Sequence, residues 1–145
     1  MILVDTLVWI DFFNGHGSAE AAQLRSFVVD GKQLTLPGLV MTEILLGVRT
    51  DAEASRIVRV LSAFDTSPEL DSTDYEKAAA LYRLCRSRGV TIHSTIDCLI
   101  AQLCLRHNYE LLSKDRDFAR IAEVVPLKRI GSPATVHDRP RSKAL

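Results

Sequence analysis

The feature that most constrains this chain is a rhythm. Brief apolar runs, too short for helices, alternate with longer segments whose apolar residues recur at helical spacing. Ile2-Leu3-Val4 is the first run, and Asp5 ends it. Residues 7–13 are rich in large apolar side chains and read as a helix stopped by Asn14-Gly15. Ser18 is placed to cap a second helix with Ala21, Leu24 and Val28 on one face and Gly31 at its end. Residues 33–36 form a second strand, closed by Pro37-Gly38. A helix over 39–48 follows, with Val40, Ile44, Gly47 and Val48 on one face and Glu43 beside it.

The second half repeats the pattern. Asp51 is expected to cap a helix that turns Ala54, Ile57, Val58 and Leu61 inward, and residues 64–67 read as a weaker third strand. Ser72 or Thr73, with Glu76, suggests a capping box for a helix carrying Tyr75, Ala78, Ala79, Tyr82 and Cys85 inward as far as Gly89. Ser94 or Thr95 opens the next helix, whose stripe is Ile96, Leu99, Ile100, Leu103 and Cys104, with Asn108 as its stop. Residues 109–113 form a fourth strand, 118–122 a short helix and 126–130 a fifth strand. Strands alternating with helices of this length predict an α/β fold around a mostly parallel sheet of about five strands.

A chain of 145 residues holds one domain, expected over 1–130. Residues 131–145 are short of large apolar side chains and are expected to form a flexible tail. With 47% hydrophobic and 25% charged residues, global disorder is excluded. No apolar run is long enough to span a bilayer and no basic leader precedes an apolar stretch, so a cytoplasmic protein without a membrane partner is expected. Cys85, Cys98 and Cys104 are odd in number and lack C-x-x-C spacing, which argues against both a disulfide framework and a zinc knuckle. Cys104 falls on an apolar stripe, whereas the surroundings of Cys98 stay open.

The acids carry the functional signal. Asp5 lies at the carboxyl end of the first strand and Asp115 just beyond the fourth, where open α/β sheets gather their ligands. Asp97 falls in the first turn of a helix, where the dipole favours a carboxylate. Glu43 borders an apolar face, and burying a lone carboxylate is costly unless something neutralises it. Four oxygen donors from separate segments suit Mg2+ or Mn2+ rather than structural zinc. Singly, each acid also reads as a helix cap or a first-turn charge, and the residues by themselves leave both readings open. The net charge of zero is compatible with a polyanionic partner: without Asp5, Glu43, Asp97, Asp115 and Asp117, thirteen acids face eighteen basic residues, a surplus of five positive charges.

Four segments now stand in order: Val4-Asp5-Thr6-x-Val8-Trp9, Met41-Thr42-Glu43-Ile44-Leu45-x-Gly47, Thr95-Ile96-Asp97-Cys98-Leu99-Ile100-Ala101 and Leu112-Ser113-x-Asp115-x-Asp117-Phe118. Together they resemble the PIN domain, and more narrowly the VapC-type toxins of bacterial toxin–antitoxin pairs, over about residues 1–130. The resemblance implies a three-layer α/β/α sandwich and Mg2+- or Mn2+-dependent endoribonuclease cleavage of RNA. Asp5, Glu43, Asp97 and Asp115 match the family's catalytic acids. Asp5, Asp97, Asp115 and Asp117 match its metal ligands. Thr6 and Ser113 match hydroxyls near the metal. A cognate antitoxin and a homodimer are implied as partners. The chain departs from the pattern at Leu7, where a small polar residue is common, and at His93, where Arg is common. A PIN-like DNA or flap nuclease and a catalytically silent RNA- or protein-binding module are the competing readings; the first needs added DNA-binding elements, the second the loss of an acid.

Arg49, Arg86 and Arg116 are the candidate RNA contacts, with Arg83 and Arg88 crowding the same helix end as Arg86. Trp9, Phe12 and Phe13 are expected in the core or a partner groove rather than stacked on bases, and His16, His107 and His137 at the surface. Arg139, Arg141 and Lys143 make the tail basic.

Overall fold

In a computed structural model the fold is described for residues 1–131. The element order is β1 (Ile2–Val4), α1 (Thr6–Asn14), α2 (Ala19–Val29), β2 (Leu34–Thr35), α3 (Gly38–Leu46), α4 (Asp51–Leu61), α5 (Ser72–Ser87), α6 (Thr95–His107), β3 (Glu110–Leu112) and α7 (Arg116–Val124). The expected tail, with His137 and its basic residues, lies outside the described residues except for Gly131.

The sheet is parallel, in the order β2-β1-β3. Leu3 stands opposite Thr35 on one side and Leu111 on the other. The predicted third and fifth strands are each reduced to a single parallel bridge, Thr35 to Asp65 and Leu111 to Arg129. Local chemistry explains the shortening. The Asp65 carboxylate accepts the Ser67 amide at 2.8 Å, curling the chain away, and Pro68 has no amide to offer a ladder. The Thr35 hydroxyl bonds the carbonyls of Asp65 and Ser67 and anchors this edge. On the other edge the strand-like stretch follows Pro126, and Leu111 exchanges bonds only with Lys128 and Ile130.

The chain runs from β1 to β2 and on to Asp65, then returns to place β3 against the free side of β1. Right-handed crossovers in opposite directions put helices on opposite faces of the sheet. In keeping with this, α1 packs on α2 and α3, and α5 on α6 and α7. The result is the three-layer sandwich. Its direction reverses between β1 and β3, and a crevice opens at their carboxyl ends. The core joins Leu3, Val4, Leu111 and Leu112 of the strands to Trp9, Leu24, Ile100, Leu103, Phe118 and Ile121 of the helices. Trp9 is fully buried, against Phe12, Phe13 and Phe64.

Several local expectations are corrected. Thr50, not Asp51, caps α4 by accepting the Glu53 amide. Asp71 caps α5, in a reciprocal box with Asp74 rather than one built on Ser72 or Thr73 with Glu76. That shift draws Asp74 inward, so the buried face of α5 is Asp74, Ala78, Leu81 and Cys85, while Tyr75 and Ala79 turn outward. Val28 and Val58 are likewise exposed at the margins of their helices. His107 is half-buried, stacked on Tyr109 at 5.3 Å between centroids. Cys98, like Cys85 and Cys104, is buried and free. Among the described residues no helix is long and apolar enough to cross a membrane.

Candidate active site

β1 delivers Asp5 at the start of α1. Asp5 holds the N-cap position, yet its side chain makes no capping bond. Instead Oδ2 accepts the Ser113 hydroxyl at 2.8 Å, while the Asp5 amide donates to the Leu112 carbonyl at 3.0 Å. The two strand ends are thereby tied across the crevice. Ser113 has a second task, accepting the Asp115 amide at 3.0 Å. Asp115 caps α7 through the Asp117 amide at 2.9 Å. Helical periodicity then turns Asp117 inward, and it is buried.

Asp117 is held from outside. Its Oδ2 accepts the His93 amide at 2.9 Å, the His93 ring Nδ1 lies 3.1 Å away, and Arg120 Nη1 is 3.7 Å from Oδ1. The turn that delivers His93 depends on Gly89, whose φ of 77° is left-handed and which ends α5. Asp97 arrives in the first turn of α6 and is only 7% exposed. Carboxylate oxygens of Asp97, Asp115 and Asp117 all lie within 4.8 Å of one another. Glu43, half-buried in α3, accepts the Thr6 hydroxyl at 2.7 Å and faces the same group.

The electrostatic cost of this arrangement is evident in the acids. Burial, reinforced by the charges of Asp115, Asp5, Asp117 and Glu43, pushes the Asp97 carboxyl up to about 8. Burial also raises Asp5 to about 6, against the pull of hydrogen bonds from Ser113 and Thr6. The basic side chains that meet the group, His93 and Arg120, both approach Asp117 from its outer side; Arg49, Arg86 and Arg116 are exposed and, among the described residues, pair with none of these acids. Arg86 instead lies over the Tyr82 ring at 5.7 Å. The donor set is carboxylate oxygen throughout, which suits a hard divalent cation, and such an ion would relieve the crowding that keeps a proton on Asp97.

The structure thus gathers Asp97, Asp115 and Asp117 tightly, with Asp5 and Glu43 beside them and Ser113 and Thr6 bonded to those two. Three neighbours escaped the reading from sequence. Arg120 was detectable as a cation at i+3 from Asp117. Lys114 and Asp11 form an ion pair at 2.6 Å, the lysine standing between Ser113 and Asp115. Its one sequence signal is that Asp11 is the only charged residue in the apolar stretch from Thr6 to Asn14.

The sequence pattern of the PIN domain matches residues 2–124. Ribonuclease VapC11 of Mycobacterium tuberculosis is 32% identical over 129 residues, which cover 88% of this chain and 96% of the relative. In fold the chain is similar to FitAcB from Neisseria gonorrhoeae (TM-score 0.71, 17% identity, 91% of this chain and 98% of the other). It is also similar to a toxin–antitoxin complex from Klebsiella pneumoniae (TM-score 0.65, 24% identity, 88% and 99%). Matched along nearly the whole of its described length, and with its acids gathered at the switch point of the sheet, the chain belongs to the PIN domain family.

Proposed function

We propose that this protein is a Mg2+- or Mn2+-dependent endoribonuclease that acts as the toxin of a toxin–antitoxin pair. The observation that carries the reading is the close grouping of Asp97, Asp115 and Asp117 beside Asp5 and Glu43, where burial and the neighbouring carboxylates raise the Asp97 carboxyl even though His93 and Arg120 meet Asp117. The relatives supply the biological setting: one is named a ribonuclease, and one solved structure is a toxin–antitoxin complex. A cytoplasmic enzyme and a homodimer belong to the same reading.

Asp5, Asp97, Asp115 and Asp117 would hold the metal. When bound there, a divalent ion supplies Lewis-acid stabilisation of charge on the phosphodiester and lowers the pKa of water. The protein's side chains do the positioning. Ser113 fixes Asp5 and the backbone of Asp115 together, and Thr6 fixes one oxygen of Glu43. Glu43 keeps its other oxygen to orient the attacking water and accept its proton. Asp5, Glu43, Asp97 and Asp115 are the catalytic residues of this scheme. Arg49, Arg86 and Arg116, all exposed, meet the RNA backbone around the acidic crevice.

The test is direct. Purified protein is incubated with RNA in Mg2+ or Mn2+, and cleavage is expected to stop with EDTA. Asp97→Asn is expected to slow cleavage roughly 10²- to 10⁴-fold. Cleavage that persists in EDTA, or an unaffected Asp97→Asn variant, overturns the mechanism. Single-stranded DNA cut faster than RNA would replace the substrate assignment.

A further inference from the structure

Next to the turn that carries Asp115 lies an ion pair, its acid buried and its lysine partly exposed, that the scheme above leaves unused. Lys114 Nζ meets Asp11 Oδ2 at 2.6 Å, and Asp11 is only 8% exposed. The pair joins residues 103 positions apart. On one side, Asp11 belongs to α1, the helix that Asp5 and Thr6 begin. On the other, Lys114 stands between Ser113 and Asp115, the two residues that set the loop at the end of β3.

The same two elements are therefore tied by side chains at two points. At the mouth of the crevice Ser113 donates to Asp5; further along α1, Lys114 is drawn down onto Asp11. With Ser113 as the one side-chain tie to α1, residue 114 is unanchored on that side, although His93 still holds Asp117. A second tie at a different point along the helix anchors it. The lysine is also committed to this role. Leaving Asp11 would strand a carboxylate that burial disfavours, and which the Lys114 charge and the hydrogen bonds of Lys114 and Ser18 hold below the usual carboxylate range. Lys114 is thus held away from any phosphate, although it is the cation nearest in sequence to Asp115 on its amino side.

We propose that the Asp11–Lys114 pair is a positioning clasp that sets the separation of Asp5 from Asp115 and Asp117 and so tunes divalent-cation affinity. The affinity part rests on the metal-site reading above; the geometric part does not. The test compares the full chain with Asp11→Asn and Lys114→Met. Manganese binding is followed by the EPR signal of free Mn2+, and amide hydrogen exchange at Asp115 and Asp117 is read without metal.

Mn2+ affinity is expected to fall about 10- to 100-fold in both variants, as it does when groups orienting metal ligands are removed. Exchange at the two amides, now held by Ser113 and Asp115, is expected to quicken. Lys114→Arg should restore most of the affinity. Arg106→Ala, a destabilising change remote from the site, serves as the folding control and should leave Mn2+ affinity within about twofold. Unchanged affinity in folded Lys114→Met, or an equal loss in Arg106→Ala, overturns the clasp. If the unaltered protein binds no Mn2+, the metal-site reading falls alone. The exchange arm then decides the clasp, and unchanged rates at Asp115 and Asp117 overturn it.

Discussion

At the scale of single residues, Asp97 bears the largest conflict. It is buried beside four other carboxyl groups, and its own is pushed up to about 8. At neutral pH folding must keep a proton on it, a cost that a neutral side chain does not bear, so Asp97→Asn is expected to stabilise the metal-free protein at pH 7 by about 1–3 kcal/mol. A thermal melt in EDTA checks this. Adding Mn2+ should raise the melting temperature of the unaltered protein and leave the variant nearly unmoved; a variant less stable than the unaltered protein in EDTA contradicts the reading. Asp5, Asp97 and Asp115 were legible in the sequence because strand ends and helix starts are local signals. Asp117 entered only through the resemblance, since its inward turn depends on the cap that Asp115 makes. Asp11 and Lys114 were illegible because nothing local links them.

The elements show where local chemistry overrode pattern. The spacing on α5 predicted Tyr75 inward, but the capping box turns Asp74 in instead. There Asp74 meets Gln102 at 3.3 Å and Arg106 at 2.8 Å, joining α5 to α6. Burial alone would raise the Asp74 carboxyl. The Asp71 amide, Gln102 and the Arg106 charge outweigh it and hold the group below its ordinary value. A depressed carboxyl contributes stability above the unfolded pKa of about 3.8 and loses it as pH falls through the lower folded value. Arg106→Ala leaves this fully buried acid short of a partner, and a loss of about 1–3 kcal/mol is expected in urea unfolding at pH 7. The loss should shrink below pH 3; the same loss at both pH values would show that the ion pair is not its source. The strands were legible as runs but not as lengths. Pro68 and Pro126 were visible in the sequence, whereas the Asp65 bond to the Ser67 amide was not.

At the scale of the molecule, the alternation of strands and helices was enough to read a parallel α/β sheet. The order of the strands was not legible, because crossovers of similar length serve neighbouring and distant pairings alike. The order decides where the acids gather, since it brings the ends of β1 and β3 together. The core that holds this order closes around Trp9, flanked by Phe12, Phe13 and Phe64. Trp9→Ala should cost about 3–5 kcal/mol, a large share of the 5–15 kcal/mol typical of a domain. Far-UV circular dichroism in urea checks this, since the only tryptophan is lost. A midpoint within error of the unaltered protein would place Trp9 outside the cooperative unit.

The sheet order also has a consequence for synthesis. β1 is made first, but the strand that completes its other side, and the turn bearing Asp115 and Asp117, come last among the elements of the sheet. At roughly 5–20 residues per second, on the order of ten seconds separate the emergence of Asp5 from that of Asp117. Throughout that interval the growing chain displays α1 to α4 without an assembled acidic centre. A partner that grips those early helices can meet the chain before its acids are gathered.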